Sequence, residues 1–239
     1  SITNGELEAS LARGTDFGVV TSYVDQTFTI TNRGDSELTF WNATVDGPAF
    51  SIIDDPAPGT GIAADGAATF TLRFLTDLEG PHQSVVELET SDTLQSPYRF
   101  GVRAELGVPR LEVMGPTGVV ITNGAAVPAV EDGTDFGRVH VDGAGLVRHF
   151  TVTNAGKANL GFSVEALSGP DAGLFDLATT ATVVLEPGEH TNLSVTFHPQ
   201  YAGNKTATVN LQTADTNFSF AIGGEGIDSE IAVRGDGGG

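Results

Sequence analysis

The chain has 239 residues, no cysteine, and 31 acidic against 11 basic side chains, a formal charge of −20. This excludes a disulfide framework, a thiolate metal site and a cysteine nucleophile. A surface this acidic also repels nucleic-acid phosphates. Apolar residues make up 39%, enough for packed cores, yet no apolar run approaches the roughly 18–20 residues that span a bilayer.

Taken in chain order, the first half is a series of short motifs, and nearly all of them return. ITNG at 2–5 recurs at 121–124, and GTDFG at 14–18 recurs at 133–137. FTITN at 28–32 comes back as FTVTN at 150–154. Leu38 and Phe40 correspond to Leu160 and Phe162, and Gly47-Pro48 to Gly169-Pro170. Phe74, Gly80, Val86 and Leu88 correspond to Phe197, Gly203, Val209 and Leu211. Tyr98 and Phe100 close the first repeat as Phe218 and Phe220 close the second. The offset shifts slightly between blocks, where loops belong. A repeat of about 120 residues follows.

The second repeat predicts its strands one by one. Leu111, Val113, Val119 and Ile121 alternate as a first strand bent at Gly115-Pro116. Phe136 sits in GTDFG, a turn that offers one aromatic to the core. Over 146–153, Leu146, Phe150 and Val152 share one face, with Phe150 and Val152 the stronger core candidates. Asn154-Ala155-Gly156 is a turn. Leu160, Phe162 and Val164 alternate, Phe175 and Leu177 form a short strand, and Glu186-Pro187-Gly188 turns the chain. Leu193, Val195, Phe197, then Ala207, Val209, Leu211, then Phe218, Phe220, Ile222 complete the set. Short alternating strands with frequent turns predict an all-β fold: two tandem immunoglobulin-like antiparallel β-sandwiches.

The two ends carry a further pattern. EIAVRGD at 230–236 resembles RLEVMGP at 110–116, which opens the second repeat. The C-terminal tail is therefore expected to form the first strand of a following repeat. From Ile231 through the end and on from Ser1 to Gly5 is as long as Leu111 to Gly124. The first residue is Ser1, so a processed chain or a fragment of a longer array is expected. The expected organisation is a sandwich over 1–106 lacking its own first strand, a complete one over 107–226, and the next repeat's strand over 227–239.

In order, an opening xIxVxG strand is followed by GTDFG, FTVTNAGKANL, GPDAGLFDL, LEPGEHTNLSVTFHPQYAGNKTATVNLQTAD and FSFAIGGEG. This series resembles the bacterial choice-of-anchor D repeat, of the Hydin/ASH-type immunoglobulin-like domain family, a relative of the major sperm protein fold. The first repeat departs from it, with FLTDLEGPHQSVVEL in place of FxPxxxGxxxAxVxI and a longer PAPGTGIAADGAAT loop. The resemblance implies a secreted, repetitive surface protein with no catalytic residues to carry over.

Residue patterns that carry chemistry are sparse in this sequence. The five histidines, His82, His140, His149, His190 and His198, form neither HxH nor HExxH, although His140 and His149 can face each other across a hairpin. No GxSxG, Walker or GxGxxG context exists. Asp16, Asp132 and Asp135 are calcium candidates, with turn capping as the alternative for the recurring pair Asp16 and Asp135. Sequons begin at Asn42, Asn192, Asn204 and Asn217. Trp41, Tyr23, Tyr98 and Tyr201 are the aromatics that a glycan site would draw on.

The residues expected to carry function are apolar: Ile231 and Val233, two apart on one strand face, form an inter-unit strand. The expected function is a non-enzymatic structural repeat of a long filament or stalk, extracellular on a bacterial surface. Its partners are neighbouring copies joined head to tail, without nucleic acid, membrane insertion or cofactor. The alternative is a calcium- or glycan-dependent adhesion module.

Overall fold

A computed structural model describes residues 1–178 and 182–228. They fall into two compact units, Ser1–Val108 and Pro109–Gly239. The first unit contains β1 (Asp16–Val20), β2 (Val24–Thr31), β3 (Leu38–Val45), β4 (Phe50–Asp54), β5 (Thr60–Ile62), β6 (Ala67–Phe74), β7 (Gly80–Thr90) and β8 (Tyr98–Leu106). The second contains β9 (Leu111–Met114), β10 (Val120–Ile121), β11 (Asp135–His140), β12 (Leu146–Asn154), β13 (Leu160–Val164), β14 (Phe175–Leu177), β15 (Val183–Leu185), β16 (His190–Phe197), β17 (Gly203–Thr213) and β18 (Asn217–Ile227). The only helical turns among the described residues are two short 3-10 segments, Leu11–Arg13 and Ala172–Leu174. The chain is all-β. Four sheets form two sandwich bodies, as tandem immunoglobulin-like domains do.

The eight strands of the first unit all recur in the second, which adds β9 and β10. One sheet has the order β1-β8-β7-β3-β5 in the first unit and β11-β18-β17-β13-β15 in the second. The edge strands β1 and β11 run parallel to β8 and β18, with a bulge in each. GTDFG makes that bulge, so it is the start of a strand as well as a turn. Asp16 Oδ1 accepts the Gly18 N–H at 2.9 Å, and Asp135 Oδ1 accepts that of Gly137 at 2.8 Å. Both glycines are left-handed, at φ 73° and 69°, a conformation that costs other residues a steric penalty.

The alternation read from the sequence becomes the core. Phe150, Val152, Leu160, Phe162, Leu193, Val195, Phe197, Val209, Leu211, Phe220 and Ile222 are all buried in one cluster. Phe197 stacks on Phe175 at 4.6 Å between ring centres, and Phe136 meets it edge-on at 5.9 Å. Phe28 and Phe70 stack in the same way in the first unit, at 5.3 Å.

Three local expectations need correction. Residues 111–121 are not one bent strand: Gly115 and Val119 close a turn that folds β10 back antiparallel on β9. Leu146 shares the face of Phe150 and pairs with the buried Phe197, but as the first residue of β12 it is exposed. His140 and His149 do not face each other, since β11 and β12 belong to different sheets and the link between them crosses from one sheet to the other.

Candidate functional site: an open sheet edge in the first unit

The two units differ in their second sheet. In the second unit its order is β10-β9-β12-β16-β14; in the first it is only β2-β6-β4. β12 therefore has β9 on one side and β16 on the other. Its counterpart β2 pairs with β6 alone among the described residues. In the second unit Val113 lies opposite Val152 on one side and Ile121 on the other. All three are buried.

The seam that β9 fills is only partly covered in the first unit. Val152, Ile121 and Phe218 are buried, whereas their counterparts Ile30, Ile2 and Tyr98 remain partly exposed at the margin of their core. Ile2 is held in place by the Tyr98 hydroxyl, which donates to its carbonyl at 2.6 Å. The segment after it is strapped along β8, with the Gly5 N–H on the Arg99 carbonyl and the Gly101 N–H on the Glu6 carbonyl.

A buried asparagine marks the end of the seam. In FTVTN, Asn154 Nδ2 donates to the Ala158 carbonyl at 2.8 Å and the Leu185 carbonyl at 3.0 Å. Its Oδ1 accepts the N–H groups of Gly156 at 3.0 Å and Arg110 at 3.3 Å. The Ala155 N–H then donates to the Arg110 carbonyl at 2.8 Å. In FTITN, Asn32 Nδ2 reaches the carbonyls of Ser36, Ile62 and Ala63, and its Oδ1 accepts the Gly34 N–H at 3.0 Å. The contacts that Arg110 supplies in the second unit have no counterpart in the first among the described residues.

The outer face of β2 is polar. Asp25 and Arg73 stand opposite each other on β2 and β6 and form a bidentate pair at 2.7 Å, with the guanidinium 4.6 Å from the centre of the Tyr23 ring. The Arg73 hydrogen bonds hold the Asp25 carboxyl below its ordinary value of 3.8. Because the folded-state pKa is depressed, the stabilisation is present above the unfolded value and is lost as pH falls through the folded one. An NMR titration of Arg73→Gln is expected to return Asp25 toward 3.8, and the acid limb of the unfolding curve should shift with it.

The remaining candidate residues occupy ordinary structural positions. Asp132 Oδ1 accepts the Thr134 N–H at 2.9 Å and its hydroxyl at 2.7 Å. Asp16 and Asp135 cap their own turns as described. No group of three or more His, Asp or Glu side chains is arranged to hold a metal ion among the described residues. His149 Nδ1 lies 2.8 Å from Ser194 Oγ on the surface of the β12–β16 pair. A shallow groove of about 620 Å³ over β9 and β12 is lined by Met114, Pro116, Leu146 and Val147, among others. Tyr201 is covered by the Lys205 ammonium at 4.2 Å, and Trp41 is exposed on β3. The sequon asparagines Asn42, Asn192, Asn204 and Asn217 are all exposed. Ile231 and Val233 lie outside the described residues. Sequence reasoning missed Asn32 and Asn154 as anchors; their recurrence at the end of FTxTN was the available signal.

Residues 129–234 match the HYDIN/CFA65/VesB-like Ig-like domain family. No curated protein matches the chain. Among solved structures, the VesB protease of Vibrio cholerae is 22% identical over 38% of this chain and 29% of its own, with a TM-score of 0.32. The ASH/PapD-like domain 7 of human CEP192 is 16% identical over 50% of this chain and 87% of its own, at 0.31. The secreted serine protease VesC of Vibrio cholerae is 13% identical over 87% of this chain and 48% of its own, at 0.35. This chain thus spans less than a third of the VesB chain.

Proposed function

We propose that this chain is a non-enzymatic structural repeat, of choice-of-anchor D type, in a long extracellular filament or stalk on a bacterial surface. Units join head to tail, the C-terminal strand of one completing the open sheet of the next. The observation that carries this is the contrast within one molecule: β12 is flanked by β9, and β2 has no such neighbour among the described residues. An unpaired strand edge beside partly exposed apolar side chains is a template for strand addition. The resemblance of 230–236 to 110–116 supplies a matching strand. Repeats joined this way gain length, and their stability adds up across neighbouring contacts. The acidic surface keeps such an array soluble and makes nucleic acid an unfavourable partner. The neighbouring copy is the partner, and no cofactor is required.

Sedimentation velocity over a concentration series tests this on the full chain and on residues 1–226. The full chain is expected to grow into a concentration-dependent series of oligomers, and the truncated chain to remain monomeric. Monomers in both samples at all concentrations would refute the joint.

A further inference from the structure

We infer that the open edge of β2 takes residues 230–235 of a second copy in one register, with Glu230 at the Asn32 corner, Ile231 opposite Asn32 and Val233 opposite Ile30. This rests on the head-to-tail reading and specifies its geometry. The second unit supplies the template, because Leu111 lies opposite Asn154, Glu112 opposite Thr153, Val113 opposite Val152 and Met114 opposite Thr151. Carried over by the repeat, Ala232 faces Thr31 and Arg234 faces Thr29. A shift by one residue would turn Ile231 and Val233 toward solvent, because side chains alternate along a strand.

Three independent features of the first unit fit this register. The first is apolar: Ile30 and Ile2 are the counterparts of the two residues between which Val113 sits, and both are partly exposed. The second is polar. Among the described residues Asn154 Oδ1 accepts two N–H groups, whereas Asn32 Oδ1 accepts only that of Gly34. The Arg33 N–H, counterpart of the Ala155 N–H that binds the Arg110 carbonyl, has no backbone acceptor among the described residues. Glu230 stands where Arg110 stands and brings one donor and one acceptor to that corner. The third is steric. A side chain at Gly115 would place its Cβ 1.6 Å from the Asp132 carbonyl oxygen, so only glycine passes there. The tail has Gly235 at the corresponding position of the repeat, and Arg13 is the counterpart of Asp132.

The chain has no cysteine, so a paired-cysteine experiment reads the register directly. Facing residues on antiparallel strands are within reach of a disulfide, and positions two residues off are not. Under mild oxidation the full chain carrying Thr31→Cys and Ala232→Cys is expected to give a ladder of covalent oligomers on a non-reducing gel. The full chain carrying Thr31→Cys and Arg234→Cys should give at least about tenfold less. In sedimentation, Glu230→Pro should weaken association roughly fivefold by removing one N–H donor. Val233→Asp should weaken it roughly 100-fold by forcing a carboxylate into the seam. Circular dichroism and thermal unfolding of each variant, compared with the unaltered chain, separate loss of association from loss of folding.

A ladder from the shifted pair alone would overturn the register and leave the head-to-tail joint standing. A disulfide closed within one chain, seen as a monomer of altered mobility, would overturn the second copy as occupant. If neither pair cross-links while the full chain still self-associates, the β2 edge is not the joint. If the full chain does not self-associate at all, the head-to-tail reading fails first.

Discussion

Phe197→Ala is expected to destabilise the second unit by about 3–5 kcal/mol, the usual cost of truncating a fully buried aromatic. Phe197 is 0% exposed and sits where three rings meet, stacked on Phe175 and edge-on to Phe136. Part of the loss is transfer free energy, and part is the cavity left between two sheets whose backbones are fixed by hydrogen bonds and do not collapse into it. The Gly224 backbone adds a constraint. A side chain there would come within 2.6 Å of the Phe197 ring, so the ring is packed against bare main chain from the opposite sheet. Hydrogen exchange read by mass spectrometry checks this locally. Amides of β12, β16, β17 and β18 that open by global unfolding should exchange some hundred- to thousand-fold faster, by the tenfold per 1.4 kcal/mol rule. An acceleration below tenfold would mean that Phe197 is not part of a close-packed core.

Asn154→Ala should cost about 2–4 kcal/mol, more than a surface polar substitution, because it strands several buried partners at once. The carbonyls of Ala158 and Leu185 lose their donor, and the N–H groups of Gly156 and Arg110 lose their acceptor. The side chain is 0% exposed, so water does not replace it without opening the corner. Asn154→Asp is the informative companion. It keeps the acceptor for Gly156 and Arg110 but sets a carboxylate against two carbonyl oxygens, and should be at least as damaging as alanine. Urea unfolding followed by circular dichroism gives both values. A loss under 1 kcal/mol for alanine would show that the corner is held by other contacts.

The same corner explains why β9 stays on β12. The Arg110 N–H and carbonyl are held by Asn154 and Ala155, one residue before the strand begins. Register is then fixed at one end by polar contacts and along the strand by Val113, which must point inward. In the first unit the asparagine is present and engaged on its inner side, and the strand edge it would anchor is unpaired among the described residues.

Much of the architecture was legible in the residues because its cause is local. Alternation of apolar residues along 146–153, 190–197 and 203–213 dictates strands whose inner faces are buried, and Phe150, Val195 and Val209 are where the pattern puts them. Glycines in GTDFG dictate left-handed turns, and both adopt them. Where the sequence reading went astray, the cause was non-local. His140 and His149 are close in sequence, but the chain between them passes from one sheet to the other. Leu146 carries the right period and pairs with the buried Phe197, yet as the first residue of β12 it stays exposed.

The sequence by itself determined that this is a repetitive all-β chain, because a recurring pattern of alternating apolar residues and turn glycines leaves each strand one face to bury. It also determined that residues 230–236 resemble the opening of the second repeat. Only the tertiary structure decided which strands are neighbours, including the parallel pairs β1–β8 and β11–β18, since those hydrogen bonds join residues far apart in the chain. It alone showed that Asn154 reaches a carbonyl 31 residues away, and that Ile30, Ile2 and the Asn32 corner lie beside an edge unpaired among the described residues. That seam exists only when two sheets close over one core, which no single segment encodes.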